Sequence, residues 1–263
     1  YKNGGFYIGR YETGIANAAR TASGDATQTP VIQANAYPYN YVTLSQAQTL
    51  SSTFTTPECS ANLMFGVQWD LVLKYLETKG VTQSELKTDS TSWGNYYNKT
   101  YEIEGSSAKY STNSGATWTS TPYAKNASAS VLLTTGASKT FSKQNIFDIA
   151  GNVREWTLEY ASNTSTPCVY RGGDFTTTTN LPASSRNSET SSFSSNYSGF
   201  RVALYKDEGK ETITFTQNPA TNIWTNRSVR VVASTTTTGL IFQTSKDGES
   251  WEDTDTQIFT ENG

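Results

Sequence analysis

The chemistry available to this chain is set by a short list of residues. Histidine is absent, and there are two cysteines, Cys59 and Cys168. Imidazole is the commonest transition-metal ligand and the usual general base near neutral pH. Without it the chain cannot build a serine–histidine triad, a histidine-held iron or zinc site, or a histidine acid–base pair. The cysteine spacing fits no zinc knuckle, which leaves one disulfide in an oxidising compartment or two small buried hydrophobes. What remains is carboxylates and guanidiniums. Asp148 and Glu155 flank the turn-forming Gly151-Asn152, Arg171 opens Arg171-Gly172-Gly173, and Arg201 closes Gly199-Phe200-Arg201. Arg201 lies between Phe200 and Val202, so it should be partly buried and in need of a carboxylate or carbonyl partner. Arg171 and Arg201 are therefore expected to hold loops through ion pairs or carbonyl clamps. Catalysis would need an acid–base pair made from Asp and Glu alone, and no such pair clusters in the polar stretch 174–198.

These residues must be positioned by few helices and many short strands. Residues 4–12 alternate as a strand does, and 13–40 are Gly-, Ala-, Thr- and Pro-rich and read as a long loop. Thr43 or Ser45 can cap a short helix over 45–53. The clearest helix is 63–79, where Val67, Leu71, Tyr75 and Val72, Leu76 recur at i, i+4, Trp69 lies near the same face, and Gly80 closes the run. Residues 88–143 read as loops and hairpins. Tyr110–Trp118 and Gln243–Trp251 each place a glycine after a polar turn residue with Trp three positions on, a pattern suited to a hairpin with a left-handed glycine. Gly151-Asn152 turns the chain into an apolar alternation over Val153–Leu158. Residues 206–211 are charged and free of apolar side chains, and read as a linker. Strand-like runs follow at 212–215, 228–232 and 240–244, spaced for an antiparallel sandwich.

Composition narrows the function classes. The formal net charge is −3 and the basic residues are scattered, so nothing forms the electrostatic footprint of a nucleic-acid binder. No apolar run reaches the ~18 residues of a transmembrane helix, so membrane insertion is not expected. Charged residues make up 16% of the chain, against about 25% in an ordinary globular domain. Low charge with abundant Ser and Thr is common in secreted, cell-wall and virion proteins. The first residue is Tyr1, no charged-then-apolar leader precedes it, and a fragment of a longer protein is expected.

The blocks Gly151-Asn152-Val153-Arg154-Glu155-Trp156, Arg171-Gly172-Gly173 and Gly199-Phe200-Arg201, preceded by Phe65-Gly-Val-Gln-Trp-Asp-Leu71, resemble in their order the formylglycine-generating-enzyme family of C-type-lectin-like folds. The resemblance covers residues 4–205. It implies an α+β, C-type-lectin-like domain over 1–205 with few helices and many loops, then the linker 206–211. Residues 212–263 resemble a bacterial immunoglobulin-like module, small or truncated. In the family the loop matching 148–155 can bind calcium. The implied ligands are the Asp148 and Glu155 side chains and the Gly151 and Val153 carbonyls, a hard-oxygen set that suits a structural Ca²⁺. The open alternative is that these carboxylates cap turns or pair with Arg154 or Arg171. The family's oxidases use a cysteine pair shortly after Arg-Gly-Gly, and the matching positions here fall near Thr177 and Pro182. Related sulfoxide synthases use a histidine-held iron. Neither thiolate nor imidazole can be supplied, so no redox cofactor and no oxidase activity are expected.

Half of the residues from Asp174 to Ser198 are Ser or Thr, with asparagines and aromatics between them. In the family this stretch lines the ligand face. It resembles the variable region of proteins diversified by retroelements, in which adenine mutation of Asn codons yields Ser, Thr, Tyr, Phe and Asp. Such side chains suit a binding face. The candidate ligand-face residues are Asp174, Thr176, Thr178, Asn180, Arg186, Asn187, Phe193, Asn196 and Tyr197. The resulting expectation is a non-catalytic module, extracellular on a bacterial surface or phage virion, that binds a host or surface protein or glycan. The alternative expectation is a structural decoration or assembly protein whose partner is its own particle.

Overall fold

The computed structural model describes residues 5–178, 180–206, 214–218, 228–234, 242–245 and 250–259. The chain divides into two compact units, Tyr1–Asp207 and Glu208–Gly263. The first contains α1 (Leu44–Ser52), α2 (Gly66–Thr78) and α3 (Gln83–Lys87). Its principal strands are β1 (Tyr7–Ile8), β2 (Cys59–Leu63), β3 (Arg154–Tyr160), β4 (Cys168–Arg171), β5 (Arg186–Glu189), β6 (Ser198–Phe200) and β7 (Val202–Lys206). The described residues are mostly β with three α-helices, as in a C-type-lectin-like domain, and are less helical than an α+β label implies. No helix among the described residues is long and apolar enough to cross a membrane.

One sheet brings the three blocks together. Its order is β5-β4-β3-β6, with Glu155 opposite Arg171 across an antiparallel pair and Glu155 beside Gly199 across a parallel one. A second sheet, β1-β7-β2, continues from the first, because β6 and β7 are separated only by Arg201. Trp156 is fully buried among Tyr39, Val42, Leu63, Tyr170, Phe200 and Val202. Its indole N–H donates to the Val42 carbonyl at 2.9 Å. Truncating such a residue costs about 3–5 kcal/mol.

The helices follow their local signals closely. α1 begins at a capping box: the Thr43 hydroxyl accepts from Gln46 N–H at 3.3 Å and the Gln46 side chain accepts from Thr43 N–H at 3.0 Å. In α2 the buried stripe is Trp69, Val72, Leu73 and Leu76, whereas Val67, Leu71 and Tyr75 are exposed. This corrects the expected face. The row Val67–Leu71–Tyr75 lies roughly 200° round the helix from Trp69 at 3.6 residues per turn, and the sheet covers the Trp69 side. The hairpin expected at 110–118 forms between Lys109–Ser111 and Thr119–Ser120, with Ser114 and Gly115 at φ 60° and 91°. Within the expected long loop, Gly14–Ile15 pairs with Tyr37–Pro38. Cys59 and Cys168 are free thiols, Cys168 packed in the core around Trp156.

In the second unit, Thr214–Asn218, Val229–Ser234 and Thr256–Phe259 form a three-stranded antiparallel sheet, and Gln243–Thr244 pairs with Glu252–Asp253. Lys206, expected to open the linker, is the last residue of β7 and pairs with Cys59. Residues 207–213 lie outside the described residues.

Candidate ligand-binding face

Two guanidiniums anchor the frame of the site. Arg201 is fully buried and grips Glu155 with two bonds, Nε to Oε2 at 2.9 Å and Nη2 to Oε1 at 2.6 Å. Its remaining donors reach the Gly9 and Phe147 carbonyls, each at 2.8 Å. It thereby ties the N-terminal strand, the 147–155 loop and the Gly-Phe-Arg block. Removing one partner of such a buried pair costs about 3–5 kcal/mol. Arg171 is likewise buried, donating to the Ser185 carbonyl at 2.9 Å, Asp70 at 2.6 Å and Glu159 at 3.2 Å.

Glu155 and Asp148, expected as calcium ligands, are placed with partners of their own. Glu155 has both oxygens on Arg201, and Asp148, at φ 59°, accepts from Gly136 N–H at 2.7 Å. Val153 is packed against Leu132 and Phe175, and Gly151 N–H donates to the Gly172 carbonyl at 2.9 Å. Among the described residues no group of three or more acidic or thiol side chains is arranged to hold a metal ion. Glu12 lies in the same interior and accepts from the Asn152 amide, while its second oxygen has no partner. Burial, then the charges of Asp148 and Glu155, push the Glu12 carboxyl well above the usual carboxylate range. Burial raises Asp148 to about 7.

The Arg-Gly-Gly block turns the chain out of the sheet and into the polar segment. Gly172 and Gly173 sit at φ 93° and 73°, and a Cβ on Gly173 would collide with the Leu181 carbonyl and the Tyr96 ring. Beyond the turn, Asp174 is fully buried and ion-paired with Arg154. Its other oxygen accepts from Thr176 N–H at 2.7 Å. The Arg154 guanidinium lies 4.9 Å from the Tyr170 ring centroid and 4.6 Å from that of Tyr197. It also donates to the Tyr170 hydroxyl at 2.7 Å. Phe193 completes the stack, its ring 6.3 Å from Tyr170, 6.1 Å from Trp156 and 6.0 Å from Tyr197. Stacking of cation and aromatics in this way fixes the half-buried Phe193 and Tyr197 rings from below.

The nine candidate residues do not share one face. Asp174 is corrected from a ligand contact to a buried support, because Arg154 and Thr176 occupy its carboxylate. Thr176, Phe193 and Tyr197 gather around the Arg154 stack. Asn196, next to Tyr197, is tied in through its carbonyl, which accepts from the Asn40 side chain at 2.8 Å. Asn187 pairs with Tyr170 across β4–β5, which puts it on the Phe193 side of the sheet. Thr178 and Asn180 are exposed and bonded to each other at 2.8 Å, in a turn held by Tyr97 N–H on the Thr177 carbonyl at 2.8 Å. Arg186 is separated from the rest. It alternates with Asn187, pairs with Arg171 in register, and points to Asp70 of α2 at 2.9 Å.

Three supports lie outside the polar segment. Arg154 belongs to the Gly151–Trp156 block and Tyr170 directly precedes Arg171, and only their position beside Glu155 and Arg171 could have drawn attention to them. Trp118 packs with Tyr197 against the Leu132, Val153 and Phe175 cluster, and meets Tyr37 edge-on at 5.0 Å. The Thr177 hydroxyl donates to the Asp174 carbonyl at 2.9 Å and Pro182 is buried.

No curated protein matches the chain. Among solved structures, Treponema denticola variable protein 1 is similar at 16% identity with a TM-score of 0.32, over 69% of this chain and 53% of that one. This chain thus spans about half the length of that protein. The family described as Sulfatase-modifying factor enzyme 1-like domain matches residues 5–206, which takes in all three blocks and both arginine anchors. The chain belongs to the sulfatase-modifying factor enzyme 1-like family.

Proposed function

We propose that the chain is a non-catalytic ligand-binding module whose contact surface is the Phe193–Asn196–Tyr197 edge with Thr176 and Asn187 beside it. The observation that carries this reading is the Arg154 stack. A buried Asp174–Arg154 pair and the Tyr170 ring hold Phe193 and Tyr197 half-exposed on a rigid base, so little side-chain entropy remains to be lost on binding. The absence of histidine, and of any cysteine between Arg171 and Arg201, support a role without redox chemistry. The partner class is a host or surface protein or glycan, met outside the cell on a bacterial surface or phage particle, and the Ser/Thr/Asn-rich rim suits diversification by a retroelement.

The test is a surface-protein and glycan array probed with the whole chain and with Asn187→Ala/Tyr197→Ala. Wild type should retain a partner that the double variant binds at least tenfold more weakly, with unchanged circular dichroism. Equal binding by both proteins would remove this face. An assembly role is the second reading, favoured by the exposed apolar residues Val67, Leu71 and Tyr75 on α2 with Tyr7 on β1. On that reading, sedimentation should show a concentration-dependent oligomer that Leu71→Lys abolishes.

A further inference from the structure

Arg186, the candidate that the fold moves to the other side of the sheet, borders a cleft of about 380 Å³ between α2, α3 and the 184–186 segment. The size is adequate for one or two sugar rings, within the ~300–1,000 Å³ typical of small-ligand sites. Its floor contains the buried side chains of Leu73 and Leu86 with Arg171 between the walls. The charges around it do not cancel. Arg171 and Arg186 are both neutralised by Asp70 and Glu159, and Lys74 is matched by Glu77 at 2.7 Å. Lys87 lines the same cleft and is exposed; it makes no direct ion pair among the described residues, and its charge acts with that of Lys74 on Glu77. One positive charge is therefore left over on a chain whose formal net charge is −3. Around it stand acceptors (Asp70, Glu77) and side chains that both donate and accept (Gln83, Ser184).

We infer that this cleft is a second binding site, for the carboxylate-bearing sugar at the end of an acidic glycan. The carboxylate pairs with Lys87 and the exposed edge of Arg186. The ring hydroxyls bond to Asp70, Glu77 and Gln83, and the C–H face of the ring lies on Leu73 and Leu86. An acidic peptide would satisfy Lys87 but lacks the ring hydroxyls that could share the Asp70 and Glu77 oxygens, which already accept from Arg171, Arg186 and Lys74. The site is independent of the Tyr197 face, since it opens on the opposite side of the β3–β4–β5 sheet.

The inference is tested on the whole chain by calorimetric titration with N-acetylneuraminic acid and methyl β-glucuronide, with methyl β-glucoside and glutamate as the neutral and non-sugar arms. At least one sugar acid should bind saturably, and the two other compounds at least tenfold more weakly. Lys87→Glu, on an exposed side chain, should weaken the sugar acid at least tenfold, and Tyr197→Ala should leave it unchanged. The inference is overturned if neither acid binds, if glucoside or glutamate binds as tightly, if Lys87→Glu has no effect, or if Tyr197→Ala abolishes binding. Only the last of these outcomes would leave the Tyr197 face standing as the acid-binding surface.

Discussion

Lys125 is 2% exposed and makes no ion pair among the described residues; its ammonium donates to the Tyr96 carbonyl at 2.7 Å and lies 5.4 Å from the Tyr101 ring centroid. Burial pulls its pKa down to about 8, below the ordinary ~10.4. A group whose folded value is depressed in this sense binds fewer protons folded than unfolded between the two values, so stability should rise with pH across about 8 to 10. Above that range the buried Tyr96 and Tyr101 hydroxyls, pushed upward by burial, act with the opposite sign. Lys125→Met keeps the stem and removes the charge. The Tyr96 carbonyl retains Lys99 N–H at 3.2 Å as a partner. Chemical denaturation should find the variant more stable by about 1–2 kcal/mol at pH 7, with the rise between about pH 8 and 10 abolished. A wild-type profile that is flat over that window would show that the ammonium is not destabilising.

At the scale of elements, the Arg-Gly-Gly turn governs where the polar segment leaves the sheet. Gly173 stands at φ 73° with the Leu181 carbonyl and Tyr96 against it. Gly173→Ala therefore combines left-handed strain, about 1 kcal/mol, with a backbone collision that must move Leu181 or Tyr96. We expect a loss of about 2–4 kcal/mol and a weakened Asp174–Arg154 pair, read as loss of tyrosine near-ultraviolet circular dichroism. Retention of both stability and the near-ultraviolet signal would show that the turn is not the hinge of the site. The capping box of α1 and the turn at 113–115 were legible in the sequence because each rests on contacts within a few residues. The buried face of α2 was not, because two apolar rows compete and only contacts distant in sequence settle which is covered, among them the Ala183 carbonyl bonded to Trp69 at 2.9 Å. The burial of Asp174 was hidden for the same reason. Its partner Arg154 is twenty residues away, and a carboxylate inside a Ser/Thr run looks solvated.

For the molecule as a whole, the order of the three blocks was enough to indicate the family fold, since each block carries a glycine or guanidinium that tolerates few replacements in its place. Calcium binding at 148–155 would register in global unfolding. With Arg201 on both oxygens of Glu155, adding EGTA should leave the thermal midpoint unchanged. A lower midpoint in EGTA would mean that an ion is held through Asp148 and the carbonyls of Gly151 and Val153 at the expense of that ion pair. The alternation of Arg186 and Asn187 across β5 has a further consequence. Because neighbouring positions there serve opposite sides, inserting or deleting a single amino acid within 186–189 would exchange the two surfaces at once. Related proteins should therefore differ in length at 176–183 and 190–197, where the chain is outside β5, and keep the four-residue span between them constant.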